Sequence, residues 1–151
     1  MKKQTVSILT VLGLAAVFAA PAFSEDLEML AGKWSVQKTN DDGQRYTQTM
    51  EIKKDKFIFK ISEPDGGTRL YAEGDVKVDK VGPFKTVVFS NIKAGESSTD
   101  SSPIDDTYTS IYKLQDDGTW LVVMNFDKQR DENQKPSLDA YRKAKQEQKK
   151  D

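Results

Sequence analysis

The chain has 151 residues, 23 Lys plus Arg against 24 Asp plus Glu, and neither His nor Cys. Without Cys there is no disulfide framework, thiolate nucleophile, Cys-based zinc or iron–sulfur site, or lipid-modified N-terminal Cys. Without His the usual general base near neutral pH and the commonest metal ligand are both missing.

Residues 1–24 have the three-part pattern of a secretory signal peptide. Lys2 and Lys3 form a positive start, and Val6 to Ala20 is an almost unbroken apolar run. Small residues then stand at cleavage spacing, as Ala20-Pro21-Ala22 or Ala22-Phe23-Ser24. The second site is favoured and leaves Glu25 as the mature N-terminus. A membrane anchor is the alternative, but the run of 15 residues is short of the ~20 that span a bilayer. The expectation is export to the periplasm or outside the cell, without stable membrane insertion after cleavage. Two basic and no acidic residues lie in this leader, so the remainder carries a net charge of −3. That is too mild to give an electrostatic reason for nucleic-acid or anionic-membrane binding.

Residues 25–144 are expected to form one domain, followed by a polar tail over 145–151. Glu25 to Ala31 carries Leu27, Met29 and Leu30 behind two acids and predicts a short helix plugging one end of a sheet. Period-two alternation then dominates. Trp34, Val36 and Lys38 share one strand face, and Asn40-Asp41-Asp42-Gly43 is a turn. Tyr46, Gln48, Met50 and Ile52 make the next face. Phe57, Phe59 and Ile61 follow the Lys53-Lys54-Asp55 turn, and Leu70, Ala72, Gly74, Val76 and Val78 follow Pro64-Asp65-Gly66-Gly67.

Phe84 to Ile92 is apolar on both faces, which predicts a central strand, and Ala94 to Asp106 is a polar loop. Strands are predicted over Thr107 to Leu114 and Thr119 to Phe126, joined by Gln115-Asp116-Asp117-Gly118. Asp127 to Pro136 is a polar connection. Leu138 to Ala144 reads as an eighth strand or as a helix, because Leu138, Tyr141 and Ala144 have helical spacing. The fold class expected is all-β: a single antiparallel up-and-down barrel of about eight strands with a short N-terminal helix.

Ala31-Gly32-Lys33-Trp34 puts Gly-x-Trp at the start of the first strand. This resembles the N-terminal signature of the lipocalin and wider calycin group. The resemblance implies that Trp34 closes the base of a barrel with a basic residue near the C-terminus lying across its ring. Arg142 is the matching candidate, so Gly32, Trp34 and Arg142 are the expected closure residues. Asp106-Thr107-Tyr108 is similar to the group's second signature. Leu30-Ala31-Gly32-Lys33-Trp34, Asp42-Gly43 and Ile111-Tyr112-Lys113-Leu114 with Asp117-Gly118 and Leu121 resemble small exported bacterial lipocalin-like domains, best known from planctomycetes. That resemblance covers about residues 27–144.

A barrel interior would be lined by Tyr46, Met50, Phe57, Phe59, Tyr108, Tyr112 and Trp120, which are the candidate ligand-binding residues. The plainer alternative is that they are ordinary core and surface aromatics, since small barrels are often filled. Asp105, Asp106, Asp116 and Asp117 read as turn residues bonding their own backbone rather than as calcium or acid–base groups. Asp127-x-x-x-Asp131-x-Asn133 lacks the Gly and terminal Glu of a calcium loop. The serines of 97–102 have no His partner. No cofactor, metal or catalytic residue is expected. The sequence thus predicts a non-enzymatic exported module for a small hydrophobic or amphipathic ligand. The alternative is a filled barrel acting as an inhibitor or envelope assembly factor through the 94–106 loop.

Overall fold

The computed structural model describes residues 23–126 and 135–144. The predicted leader up to residue 22, most of the 127–136 connection and the 145–151 tail lie outside the described residues.

One helix and nine strands follow one another: α1 (Phe23–Leu30), β1 (Gly32–Thr39), β2 (Arg45–Lys53), β3 (Lys56–Ser62), β4 (Thr68–Val81), β5 (Phe84–Gly95), β6 (Ser101–Pro103), β7 (Tyr108–Leu114), β8 (Trp120–Met124) and β9 (Ser137–Lys143). All pairings are antiparallel. The order β4-β3-β2-β1-β9-β8-β7-β5 closes on itself because β4 also pairs with β5, giving an eight-stranded barrel, and β6 is an extra strand on β5.

Alternation along each strand sorts side chains in or out. In register, Trp34 meets Met50, Met50 meets Phe59, and Phe59 meets Ala72, so one inward layer runs across four strands. Trp34, Met50, Phe57, Ala72, Val76, Val87, Phe89, Trp120, Val122 and Tyr141 belong to one buried apolar cluster. The long strands β4 and β5 bend at a register irregularity between Glu73 and Asp75. Gly74 sits there, and a Cβ on it would come within 2.6 Å of the Ser90 carbonyl oxygen. Only glycine lets the two backbones approach that closely.

The helix closes one end. Leu30 is fully buried and Leu27 packs on the same core. The indole Nε1 of Trp34 donates to the Leu30 carbonyl oxygen at 2.8 Å, which satisfies one of the carbonyls that a helix end leaves open. An ion pair of 2.7 Å between Asp26 and Lys85 ties α1 to β5.

The cation across Trp34 belongs to Lys143, not to Arg142. Lys143 Nζ lies 4.3 Å from the centroid of the Trp34 ring and donates to the Ala31 carbonyl oxygen. Register is the reason: Trp34 opposes Lys143, whereas Arg142 opposes Ser35. On a strand, adjacent residues face opposite ways, so the exposed Arg142 turns outward. Gly32 completes the seal. Its φ of +117° disfavours any L side chain, and a Cβ would fall 2.7 Å from Lys143 Nζ.

Two sequence expectations resolve differently. The 94–106 stretch is not a plain loop: β5 runs on to Gly95 and turns back into β6. The turn forms because the Ser97 carbonyl and hydroxyl oxygens both accept from the Asp100 amide, at 3.2 and 3.0 Å. The segment expected over 138–144 as either strand or helix is strand up to Lys143, within β9, and Ala144 lies just past its end; pairing with β8 and β1 overrides the helical spacing of Leu138, Tyr141 and Ala144.

Candidate functional site

Part of the barrel interior is hollow, bordered by Met50, Phe59 and Ala72 of the inward layer but not by Trp34. A cavity of about 290 Å³ lies among inward side chains of β2, β3, β4, β5, β7, β8 and β9, with Met50, Phe57, Phe59, Phe89, Val122 and Met124 making much of its wall. The hollow has a local cause. Ala72 on β4 and Ala94 on β5 oppose each other in register and both face it. Two methyl groups stand where larger side chains would fill the space. Ile104, just past β6, covers one side, held by its amide donating to the Ile92 carbonyl oxygen at 2.9 Å.

The polar atoms of this wall are few. Tyr141 hydroxyl donates to Gln48 Oε1 at 3.0 Å. Burial raises the Tyr141 phenol pKa well above its ordinary value, with the Asp139 charge adding. Tyr108 shifts the same way, by burial and then by its hydrogen bond with Asp106. Ser110 is buried. Trp120 is 1% exposed, its ring centroid lies 5.4 Å from that of Trp34 and 5.5 Å from that of Tyr141, and its Nε1 has no hydrogen-bond partner among the described residues. Such a sealed donor costs ~1–3 kcal/mol.

Next to the cavity, a charged pair is set inside the barrel. Lys38 Nζ lies 2.7 Å from Asp139 Oδ1, and Asp139 is 4% exposed while Lys38 keeps 28%. The second carboxylate oxygen is buried with no partner among the described residues. Arg69 lies over the Tyr46 ring at 5.0 Å and pairs with Glu63 at 3.2 Å.

Of the seven residues predicted to line the interior, Met50, Phe57, Phe59, Tyr108 and Trp120 do so together. Tyr46 and Tyr112 do not. Tyr46 is half-buried under Arg69. Tyr112 faces the helix-closed end, where burial and then the Asp26 charge raise its pKa. Parity alone placed both on the inward face, but height along the barrel axis decides which inward residues meet the hollow.

One member of each acidic pair behaves as a turn group: the Asp106 and Asp117 carboxylates accept from the backbone amides of Thr107 and Thr119, each at 2.9 Å. Among the described residues no three acidic side chains converge on a metal-sized site, and no helix is long and apolar enough to cross a membrane. The inward polar residues Asp139 and Tyr141 were missed in sequence, whereas Gln48 was placed on the Met50 face without a role. For Lys38 a signal existed, since it shares a strand face with Trp34 and Val36. No protein-family model, curated protein or solved structure matches the chain.

Proposed function

We propose that this protein is a non-enzymatic, exported binding protein that holds one compact apolar or amphipathic molecule inside its barrel. The observation that carries the reading is the 290 Å³ hollow with an almost wholly apolar wall, close to the ~300 Å³ at which small-molecule sites begin. A dry apolar cavity of roughly half that size takes a benzene-sized guest, so the guest here has on the order of a dozen non-hydrogen atoms. At the modest binding energy per atom of such ligands, Kd falls at roughly 10–100 μM.

Export rests on the leader pattern of residues 1–24. The likeness of Leu30-Ala31-Gly32-Lys33-Trp34 and Ile111-Tyr112-Lys113-Leu114 to exported bacterial lipocalin-like domains agrees with it. A holding role rather than catalysis is supported by the lining, which offers apolar surface and isolated hydroxyl and indole groups instead of an acid–base pair. The rival reading needs a filled barrel and a free 94–106 loop. The hollow and the inward use of Ile104 favour the ligand reading over it.

Native mass spectrometry of the protein purified from its own host tests the proposal. The expected result is a retained small molecule, released on denaturation. A bare polypeptide mass, together with no change in the side-chain methyl spectrum of Met50, Val122 and Met124 on titration with small arenes, overturns it.

A further inference from the structure

The cavity wall has a break in its hydrogen-bonded ladder, between β5 and β7. These strands pair from Thr86 with Ile111 to Phe89 with Tyr108. Beyond that point β5 runs on through Ser90, Asn91 and Ile92, and pairing with the returning chain resumes only at Lys93 with Pro103, in β6. Residues 104–107, between the two ladders, belong to no strand. β5 is irregular on its other side as well: its register with β4 shifts between Glu73 and Asp75, and Asn91 takes a φ of +50°, a conformation uncommon outside glycine.

Ile104 stands in this break. Its amide donates to the Ile92 carbonyl oxygen at 2.9 Å, and its side chain lines the cavity. It is the one wall residue carried outside the eight barrel strands, and at 37% exposure the one that also faces solvent. There the wall is a single side chain thick.

The stretch that carries Ile104 is lightly held. Among the described residues β6 pairs with β5 alone, over three positions, whereas each barrel strand has a neighbour on both sides. Pro103 has no N–H to add to the ladder. The stretch folds back on β5 at Gly95, where a Cβ would fall 1.9 Å from the Asp100 carbonyl oxygen, so glycine makes the tight return possible. Local opening of such a stretch costs far less than parting two barrel strands.

The ends of the barrel serve an apolar guest less well. Leu30 and Trp34 fill the end under α1. At the other end Lys38, one residue from the end of β1, is paired with the buried Asp139, and Arg69 lies over Tyr46. Passage there would part a buried carboxylate from its cation.

Resting on the cavity reading above, we propose that the guest enters and leaves through the break between β5 and β7, and that residues 96–107 swing away from β5 to open it, with Ile104 as the stopper. The barrel strands then set most of how tightly the guest is held, and the 96–107 stretch sets how fast it exchanges.

The chain has no Cys, so an introduced pair forms one defined cross-link. Lys93→Cys/Pro103→Cys ties β6 to β5 from outside the cavity, since both positions are exposed and directly opposite. They lie beside the Ile104–Ile92 hydrogen bond as a non-hydrogen-bonded pair, the closer kind, which suits a disulfide. Exchange of fluorobenzene is followed by ¹⁹F NMR. Oxidation is expected to slow entry and release by at least about tenfold and to leave Kd within about twofold, and reduction to restore the rates. Thr39→Cys/Arg45→Cys, an exposed opposite pair on the β1–β2 hairpin, is expected to leave the rates within about twofold on oxidation. With no cross-link at all, Ile104→Ala is expected to speed release by at least about threefold.

Equal rates in the oxidised and reduced forms of Lys93→Cys/Pro103→Cys, or equal slowing by the β1–β2 cross-link, place the route elsewhere and leave the cavity reading intact. Fluorobenzene that binds no form of the protein overturns the cavity reading and this inference with it. If Lys93→Cys/Pro103→Cys does not fold, Ile104→Ala decides: release no faster than in the parent overturns the proposal.

Discussion

Lys143 Nζ stands 4.3 Å above the ring of Trp34, joining the last strand of the barrel to the first. Among the described residues the β1–β9 seam has two paired positions, Trp34 with Lys143 and Ser35 with Arg142, and the Ala144 amide donates to the Lys33 carbonyl oxygen beyond them. Side-chain contacts therefore carry much of the closure there. A cation over an indole face at this distance contributes ~0.5–2 kcal/mol.

Lys143→Met is accordingly expected to lower stability by about 1 kcal/mol, read as a shift in the urea midpoint at unchanged slope. Arg142→Met, one residue away on the opposite face, is expected to stay within ~0.5 kcal/mol of the parent. The reverse order would mean that Arg142 closes the barrel.

Lys38 and Asp139 also bridge this seam. Because Asp139 is almost wholly buried, Lys38→Met strands a carboxylate away from water. Breaking a buried pair costs ~3–5 kcal/mol, and the part exposure of Lys38 reduces this to about 2 kcal/mol. The double variant Lys38→Met/Asp139→Leu removes the stranded charge and is expected to be more stable than Lys38→Met alone. Chemical denaturation of the two side by side checks this, and a double variant weaker than the single one contradicts it.

Ala94→Leu adds three carbons into the space opposite Ala72. Filling a real void is tolerated within ~1 kcal/mol, whereas overpacking a solid core costs ~1–3 kcal/mol. The expected outcome is near-unchanged stability with at least tenfold weaker binding of small arenes. Marked destabilisation with unaltered binding would place the guest elsewhere.

The buried phenols make alkaline unfolding the sensitive limit. Burial and the Glu73 carboxylate, which accepts from Tyr71 at 2.6 Å, push the Tyr71 pKa up to about 12. Tyr108, Tyr112 and Tyr141 are raised as well. Unfolded phenols ionise near ~10, so above that pH the unfolded chain releases protons that the folded one retains. Stability supplied by these groups is complete below pH ~10 and lost as pH climbs through the folded value for Tyr71, about 12. Tyrosinate absorbance should rise together with loss of β-sheet circular dichroism, and Tyr71→Phe should make the decline shallower. Tyrosinate forming well before unfolding would contradict this account.

Which side of each strand is apolar was legible in the sequence because alternation is local. Met50 and Ile52, like Phe57 and Phe59, announce an inward face wherever the strand is placed. Turn residues are local too, and Asn40 and Asp65 accept from nearby backbone amides as their side chains predict. For the site, the same alternation identified Met50, Phe57, Phe59, Tyr108 and Trp120. It could not separate them from Tyr46 and Tyr112, which share the parity but not the height.

The sequence by itself determined that a run of short amphipathic strands with an indole near its start would form an all-β sheet, because strand faces and turns depend on neighbours a few residues apart. The tertiary structure decided three things: that Lys143 rather than Arg142 covers Trp34, that Lys38 meets Asp139 inside, and that Ala72 meets Ala94 across a hollow. Each depends on the register between strands distant in the chain, and a one-residue slip in register exchanges the inside of a strand for its outside.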